Sequence, residues 1–296
     1  MEPAESSSIH QVDRQQLLTH LTRLEGERHP YASRDRLEAA QAYVTHQWRS
    51  WSLTVRADEF SYMGDRFVNL LAHPPGLPDG PRFIIGAHLD TVPGSPGADD
   101  NASGIAAMLE VARVISLRAS PLPIEFVAFT LEELGMIGSA HYAQTLRRAR
   151  TRVAGMLSLE MVGFTESQGL QHYPWFLRGR YPSAGTYLGL AANHRSRPLL
   201  EVVTRAMRRV DGLPVESMVL PGNGWLFPEI RLSDHAPFWD HGYPALLVTD
   251  TAFFRNPHYH QASDTVATLD LTFLERVTQG LVATVESFAH SECTGI

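Results

Sequence analysis

The stretch that most restricts how this chain can fold is Ile84 to Gly104, I-I-G-A-H-L-D-T-V-P-G-S-P-G-A-D-D-N-A-S-G. It opens in an apolar run, Phe83-Ile84-Ile85-Gly86-Ala87, of the kind that forms a strand buried on both faces. His88 and Asp90 stand at its end. A loop rich in Pro, Gly and Ser follows, and Gly97-Ala98-Asp99-Asp100-Asn101-Ala102-Ser103-Gly104 then opens an apolar-periodic helix. An imidazole, a nearby carboxylate and an acidic loop at a helix start form half of a metal site, in which neutral imidazoles and carboxylate oxygens bind the ion and other groups orient them. The same residues also read as a solvated His-Asp turn with an Asp-Asn helix cap, and on this segment alone the two readings balance.

The pattern of strand then helix repeats along the chain. Two N-terminal helices are expected, one carrying Leu17, Leu18, Leu21 and Leu24, the next running from Ser33 to about Trp48. Strands are expected near 53–60 and 66–72, then at 83–88, 124–130, 153–159, 215–219 and 245–249. Helices are expected near 102–117, 137–150, 198–210 and 269–290. Residues 165–197 read as an irregular excursion. This alternation predicts an α/β fold, three α/β/α layers around a mixed, mostly parallel central sheet. Ligands of such sheets sit beyond the carboxyl ends of the strands. His88, Glu132, Glu133 and Glu160 all fall at such ends. The expected organisation is a disordered tail over residues 1–8 and a single domain over 9–296.

Composition removes whole classes of function. All 25 basic residues are arginine, so Schiff-base chemistry and a Walker P-loop lysine are excluded. A net charge of -7 with no basic stripe argues against nucleic acid as a partner. No run approaches the ~20 apolar residues of a bilayer span, so no membrane is expected as a partner. Cys293 is the single cysteine, which rules out an intramolecular disulfide. The acidic N-terminus lacks an apolar leader, and the expected location is the cytoplasm. Nothing in the sequence sets an oligomeric state.

Two further clusters carry chemistry. Glu132-Glu133 places adjacent carboxylates at a strand end, where they repel unless one is neutralised. One as a ligand and its neighbour as general base is a natural division, although from these residues alone a solvated acidic turn at a helix start, favoured by the helix dipole, is the stronger reading. Downstream, His260 with Asp264 repeats the histidine-plus-carboxylate pairing of His88 and Asp90, with His258 as a rival ligand. His141, His235 and His241 are assigned no chemistry.

Taken in order, Ala87-His88-Leu89-Asp90, Gly97 to Gly104, Glu132-Glu133-Leu134-Gly135, Leu159-Glu160-Met161, Ser233-Asp234-His235-Ala236-Pro237-Phe238 and Tyr259-His260 resemble the di-zinc aminopeptidases of metallopeptidase family twenty-eight, a zinc-exopeptidase family that includes glutamate carboxypeptidase-like enzymes and glutaminyl cyclases. The resemblance runs from about residue 65 to 290. It implies two zinc ions bridged by Asp100, with His88 and Glu160 on one and Glu133 and His260 on the other. It implies Glu132 as general base, Asp90 orienting His88, and Tyr259 as an oxyanion stabiliser. Glu160 departs from the aspartate of the best-studied members. A cis peptide between Asp100 and Asn101 is also implied. The implied substrate is a peptide with a free N-terminus, whose first side chain is expected to meet Trp225, Phe227 and Phe164. The rival readings are a one-zinc glutaminyl cyclase, a carboxypeptidase for acidic dipeptides, and a non-catalytic binding module on the same fold.

Overall fold

A computed structural model of the protein describes residues 8–78, 80–118, 122–169, 171–173, 177 and 179–293. Most of the expected tail, residues 1–7, lies outside them. Seven helices and eight strands are described: α1 (Arg14–Leu24), α2 (Arg34–Ser50), β1 (Thr54–Tyr62), β2 (Asp65–His73), β3 (Arg82–His88), α3 (Gly104–Ser116), β4 (Ile124–Phe129), α4 (Ile137–Arg148), β5 (Val153–Glu160), β6 (Leu188–Asn193), α5 (Arg197–Met207), β7 (Val215–Leu220), α6 (His235–Asp240), β8 (Ala245–Thr249) and α7 (Leu271–Cys293).

The strands form one sheet in the order β1-β2-β4-β3-β5-β8-β6-β7. Its centre, β4-β3-β5-β8, is parallel throughout, while β1, β2 and the β8-β6 junction supply the antiparallel pairs. Because side chains alternate along a strand, each central strand feeds two cores. On β3, Phe83, Ile85 and Ala87 join the larger core, packed with α1, α2, α3, α5 and α7 residues such as Leu21, Val44, Leu109, Val203 and Leu281. Ile84 turns to the opposite core with Val127, Phe129 and Met156, closed by Tyr142 of α4 and by Phe238 and Trp239 of α6. Helices therefore cover both faces, which is why these strands read as continuous apolar runs.

One expectation is corrected here. The stretch 165–197 contains β6, a strand inserted between β8 and β7. Its sequence, Leu-Gly-Leu-Ala-Ala-Asn, is built of small residues because Gly189 lies against the backbone of Thr249 in the antiparallel neighbour, and small residues give a weak strand signal. No described helix is long and apolar enough to cross a membrane.

Candidate metal centre

The carboxyl ends of β3, β4, β5 and β8 converge, and the candidate residues gather there. His88 is the last residue of β3 and Glu160 the last of β5. Glu132 and Glu133 lie in the turn after β4, which Leu131 enters at a φ of 64°. Asp100 sits in a kinked stretch between β3 and α3, where the Asp100–Asn101 peptide is cis, as the resemblance implied. The Asn101 side chain fixes that kink: Oδ1 accepts from the amides of Gly104 and Met161, and Nδ2 donates to the Leu159 carbonyl. His260 arrives on the long turn that follows β8.

The two oxygens of Asp100 face different histidines. Oδ1 is 3.3 Å from His88 Nε2, and Oδ2 is 3.2 Å from His260 Nε2. Glu160 Oε1 lies 3.4 Å from the same His88 nitrogen, and Glu133 Oε2 lies 3.1 Å from the His260 nitrogen. Glu132 stands farther off, its Oε2 at 3.8 Å from His88 Nε2. These separations test the fit of a metal. Four donors at 2.0–2.1 Å around zinc lie about 3.3 Å from one another by tetrahedral geometry, and the four short contacts here average that value. His260 Nε2 and Glu133 Oε1 are buried without completing a hydrogen bond among the described residues, an arrangement that costs free energy unless another group satisfies them. Nitrogen and carboxylate donors of this kind suit zinc. His88, Asp100 and Glu133 also stand together as a possible metal-binding group.

The electrostatics agree. Burial opposes charge on His88, yet Glu160, Glu132 and Asp100 outweigh it and raise its pKa well above the usual value. Burial likewise opposes charge on His260, but Asp100 and Glu133 hold its pKa up to about 10. Burial would raise Asp100, but His260 and His88 pull its carboxyl below the usual range. Burial, then the Asp100 charge, pushes Glu133 up to about 7. Burial raises Glu132 well above the ordinary range, with Glu160 and Asp234 adding to it and His88 opposing. Without metal the two histidines are the cations nearest these acids, and a metal would replace their protons.

The frame around these groups grips main chain. Asp90 accepts from the amides of Glu132 and Glu133, both at 3.1 Å. Asp264 accepts from the amides of Asp99 at 2.9 Å and Asp100 at 3.1 Å. Each acidic pair thus hangs from a buried aspartate. The contact of Asp90 with His88 runs through its carbonyl, 3.1 Å from Nδ1, while its carboxylate is 3.9 Å away. Asp264, paired with His260 in the sequence reading, instead serves the Asp100 loop. Ser233 Oγ donates to Glu160 Oε2 at 2.7 Å and holds that side chain. Tyr259 stacks on His260, centroids 3.8 Å apart, and burial followed by the surrounding carboxylates raises its phenol pKa, so the hydroxyl keeps its proton.

Sequence reading missed Arg28. It is 2% exposed, and its guanidinium donates to the carbonyls of Leu24, Gly26, Leu89, Pro96 and Gly97. It thereby ties the loop after β3 to the end of α1 and lies within electrostatic reach of Asp100, Asp264, Asp90 and Glu133. Equally unmarked was the role of Asp99, whose Oδ1 accepts from Gly163 and whose Oδ2 accepts from Asn256.

A family model described as Peptidase family M28 matches residues 69–285. The chain belongs to peptidase family M28. Among relatives of this M28 chain is the uncharacterized protein YfbL of Escherichia coli K12, 33% identical over 263 residues, covering 84% of this chain and 79% of YfbL. Among solved structures, the LapA aminopeptidase of Legionella pneumophila superposes with a TM-score of 0.77 at 20% identity, over 95% of this chain and 73% of LapA. A Bacillus subtilis zinc aminopeptidase, BSAP, gives 0.58 at 26% identity, over 76% of this chain and 50% of its own. A glutaminyl cyclase of Porphyromonas gingivalis gives 0.66 at 17% identity, over 93% and 97%. The M28 chain thus spans half the length of BSAP, and its α/β fold is that of the M28 aminopeptidase structures.

Beside Glu160 the M28 chain opens an apolar pocket of about 100 Å³, walled by Tyr181, Tyr187, Leu190, Leu232, Phe253 and Phe254. The expected walls differ: Phe227 lines the adjoining groove, Trp225 is 68% exposed and stacked under Arg231, and Phe164 is buried against His258. None of the three lines the pocket, and the loop geometry turns Trp225 outward. His235 packs on Trp239, and burial lowers its pKa to about 3. His141 stacks on Phe60 and lies 3.5 Å from Asp58. His258 Nδ1 lies 2.9 Å from Ser263 Oγ.

Proposed function

We propose that the chain is a zinc-dependent aminopeptidase that holds two Zn²⁺ ions and removes the N-terminal residue of a peptide, with residues 9–296 acting as one catalytic domain. The observation that carries this reading is Asp100, whose two oxygens each face a different histidine at 3.3 and 3.2 Å. His88 and Glu160 would hold one ion with Asp100, and Glu133 and His260 the other. Zinc held there polarises a carbonyl and makes water more acidic.

The residues of the chain do the rest. Glu132, held by its amide against Asp90, takes a proton from the attacking water and passes it to the departing amine. Tyr259, protonated over the working range, donates a hydrogen bond to the oxygen on which negative charge develops. Glu132, Glu133 and Glu160 favour the ammonium of a free N-terminus. The apolar pocket beside Glu160 receives the first side chain.

The test is zinc analysis joined to activity. Chelation should abolish cleavage of a leucine anilide, and titration should restore it in step with two equivalents of zinc; full activity with both ions removed would overturn the reading. Conversion of N-terminal glutamine peptides to a cyclic product, without hydrolysis, would instead establish the cyclase. The pocket walls, with Glu216 and Glu160 among them, predict that peptides beginning in Leu, Met or Phe are cut faster than those beginning in Asp or Glu. Burial of one such side chain is worth about 1.5–3 kcal/mol, so preferences of about tenfold or more in kcat/KM are expected. Equal or faster cleavage after acidic residues would point to an acidic-peptide specificity.

A further inference from the structure

Next to the apolar pocket lies a groove of about 940 Å³ that the proposed reaction does not use. It follows β7, the outermost strand of the sheet, and one flank of α5. Tyr181, Ser217, Met218, Glu229, Ile230 and Phe254 line both it and the pocket, so the two are continuous. Five arginines line the groove, Arg180, Arg197, Arg205, Arg208 and Arg209, against two acids, Glu201 and Glu229. This is a local positive surface on a chain of net charge -7.

The arginines are not all occupied. Arg208 donates to the Val215 carbonyl at 3.0 Å, and Arg209 to Ser287 at 2.6 Å and Ala283 at 3.4 Å. Arg197 and Arg205 are exposed and make no ion pair or side-chain hydrogen bond among the described residues. Free guanidiniums on one flank of a groove suit a ligand with anionic oxygens. Met218, Val219 and Ile230 add apolar surface between the charges.

We propose that this groove binds an extended acidic peptide segment, held by Arg197 and Arg205 and by contact with β7, as a continuation of the substrate cleft; this rests on the aminopeptidase reading. Arg197 and Arg205 are eight residues apart on one helix, about 12 Å. Acidic side chains four residues apart on an extended peptide are about 13 Å apart, so one strand can reach both. The carbonyls of Val215 and Ser217 already accept from Arg208 and Tyr181, the latter at 3.4 Å, so recognition falls to side chains rather than to full strand pairing. A nucleic acid fits less well, since the rest of the chain repels it.

The probe is an N-acetylated heptapeptide with glutamates four positions apart, which no aminopeptidase can cut, beside its glutamine counterpart. In zinc-loaded protein the acidic peptide should bind and should compete with cleavage of a leucine anilide. Arg197→Glu/Arg205→Glu should weaken its binding by about tenfold or more, since several exposed ion pairs add to roughly that factor, and Arg197→Gln/Arg205→Gln should fall between. Raised salt should weaken it too. Equal binding of the two peptides, unchanged binding by both variants with intact circular dichroism spectra, or tighter binding of inorganic phosphate or an oligonucleotide would overturn the proposal. Absence of peptide cleavage would overturn the aminopeptidase reading instead, while the binding measurement still reports on the groove.

Discussion

Glu132→Gln is expected to lose at least about 10²-fold in kcat while keeping its zinc, because general acid–base help is worth ~10²–10⁴-fold and this residue is proposed to serve both proton steps. Its carboxylate lies farther from His88 than those of Asp100 and Glu160, 3.8 Å against 3.3 and 3.4 Å. Glutamine keeps the shape, and the amide of residue 132 stays bound to Asp90, so the frame survives the change. Glu133→Gln should act differently, lowering bound zinc because one oxygen facing His260 is lost. Zinc analysis by mass spectrometry on both variants, with kcat and KM on the same substrate, checks the pair. Near-normal turnover in zinc-replete Glu132→Gln removes that residue from the mechanism. Zinc loss from Glu132→Gln with retention in Glu133→Gln would mean that the roles are exchanged.

Removing the metal should make the protein less stable as pH rises. Burial is the largest cause in each case as Glu133, Asp234 and Asp264 rise to about 7, whereas the unfolded chain titrates near 4. Between these values the folded state binds more protons than the unfolded state. The contribution is therefore complete below about pH 4 and lost as pH rises through about 7. His260 adds a higher window, since its folded pKa of about 10 exceeds the unfolded value near 6.5. Its stabilisation is complete below about pH 6.5 and lost toward pH 10. Asp100, with a lowered pKa, contributes stability that is lost only as pH falls below the usual carboxylate range, so it stays constant over this window and does not offset the trend. Between pH 5.5 and pH 8.5 one carboxyl such as Glu133 loses about 2 kcal/mol of its contribution, so the chelated protein should melt about 5 °C or more lower at pH 8.5 than at pH 5.5. Zinc reverses the trend because it binds the deprotonated ligands. A chelated protein whose melting temperature stays level or rises over that range would refute the charge arrangement described here.

The candidate site was legible because its residues are chemically unusual where they stand. His88, Glu132, Glu133 and Glu160 interrupt apolar strand ends, and in a parallel sheet those ends meet. The order of the six motifs then supplied what single motifs could not, placing Asp100 and His260 in the same cluster from opposite ends of the chain. Less was visible where recognition uses main chain. Arg28 meets its partners through five carbonyls, and a carbonyl leaves no mark in a sequence. Asp264 looked like a companion of His260 because they are four residues apart, but folding aims it at amides 165 and 164 positions away. β6 was lost among turn-forming neighbours, since its small residues answer to close packing rather than to strand propensity. The groove beside β7 needed the strand order, because nothing in the sequence marks β7 as the edge strand beside Arg197 and Arg205.

The way Asp90 and Asp264 suspend the acidic pairs has an evolutionary corollary. Both grip amides, and an amide is the same whatever side chain follows it. Side chain and architecture are therefore separable at positions 100, 132 and 133, where a substitution can change the side chain without unhooking the loop that carries it. A descendant without the proposed proton carrier would keep its cleft, its apolar pocket and its arginine-lined flank. Peptide-binding proteins without catalysis are then one codon away from a fold of this kind, and a missing glutamate at position 132 would be the mark by which to find them.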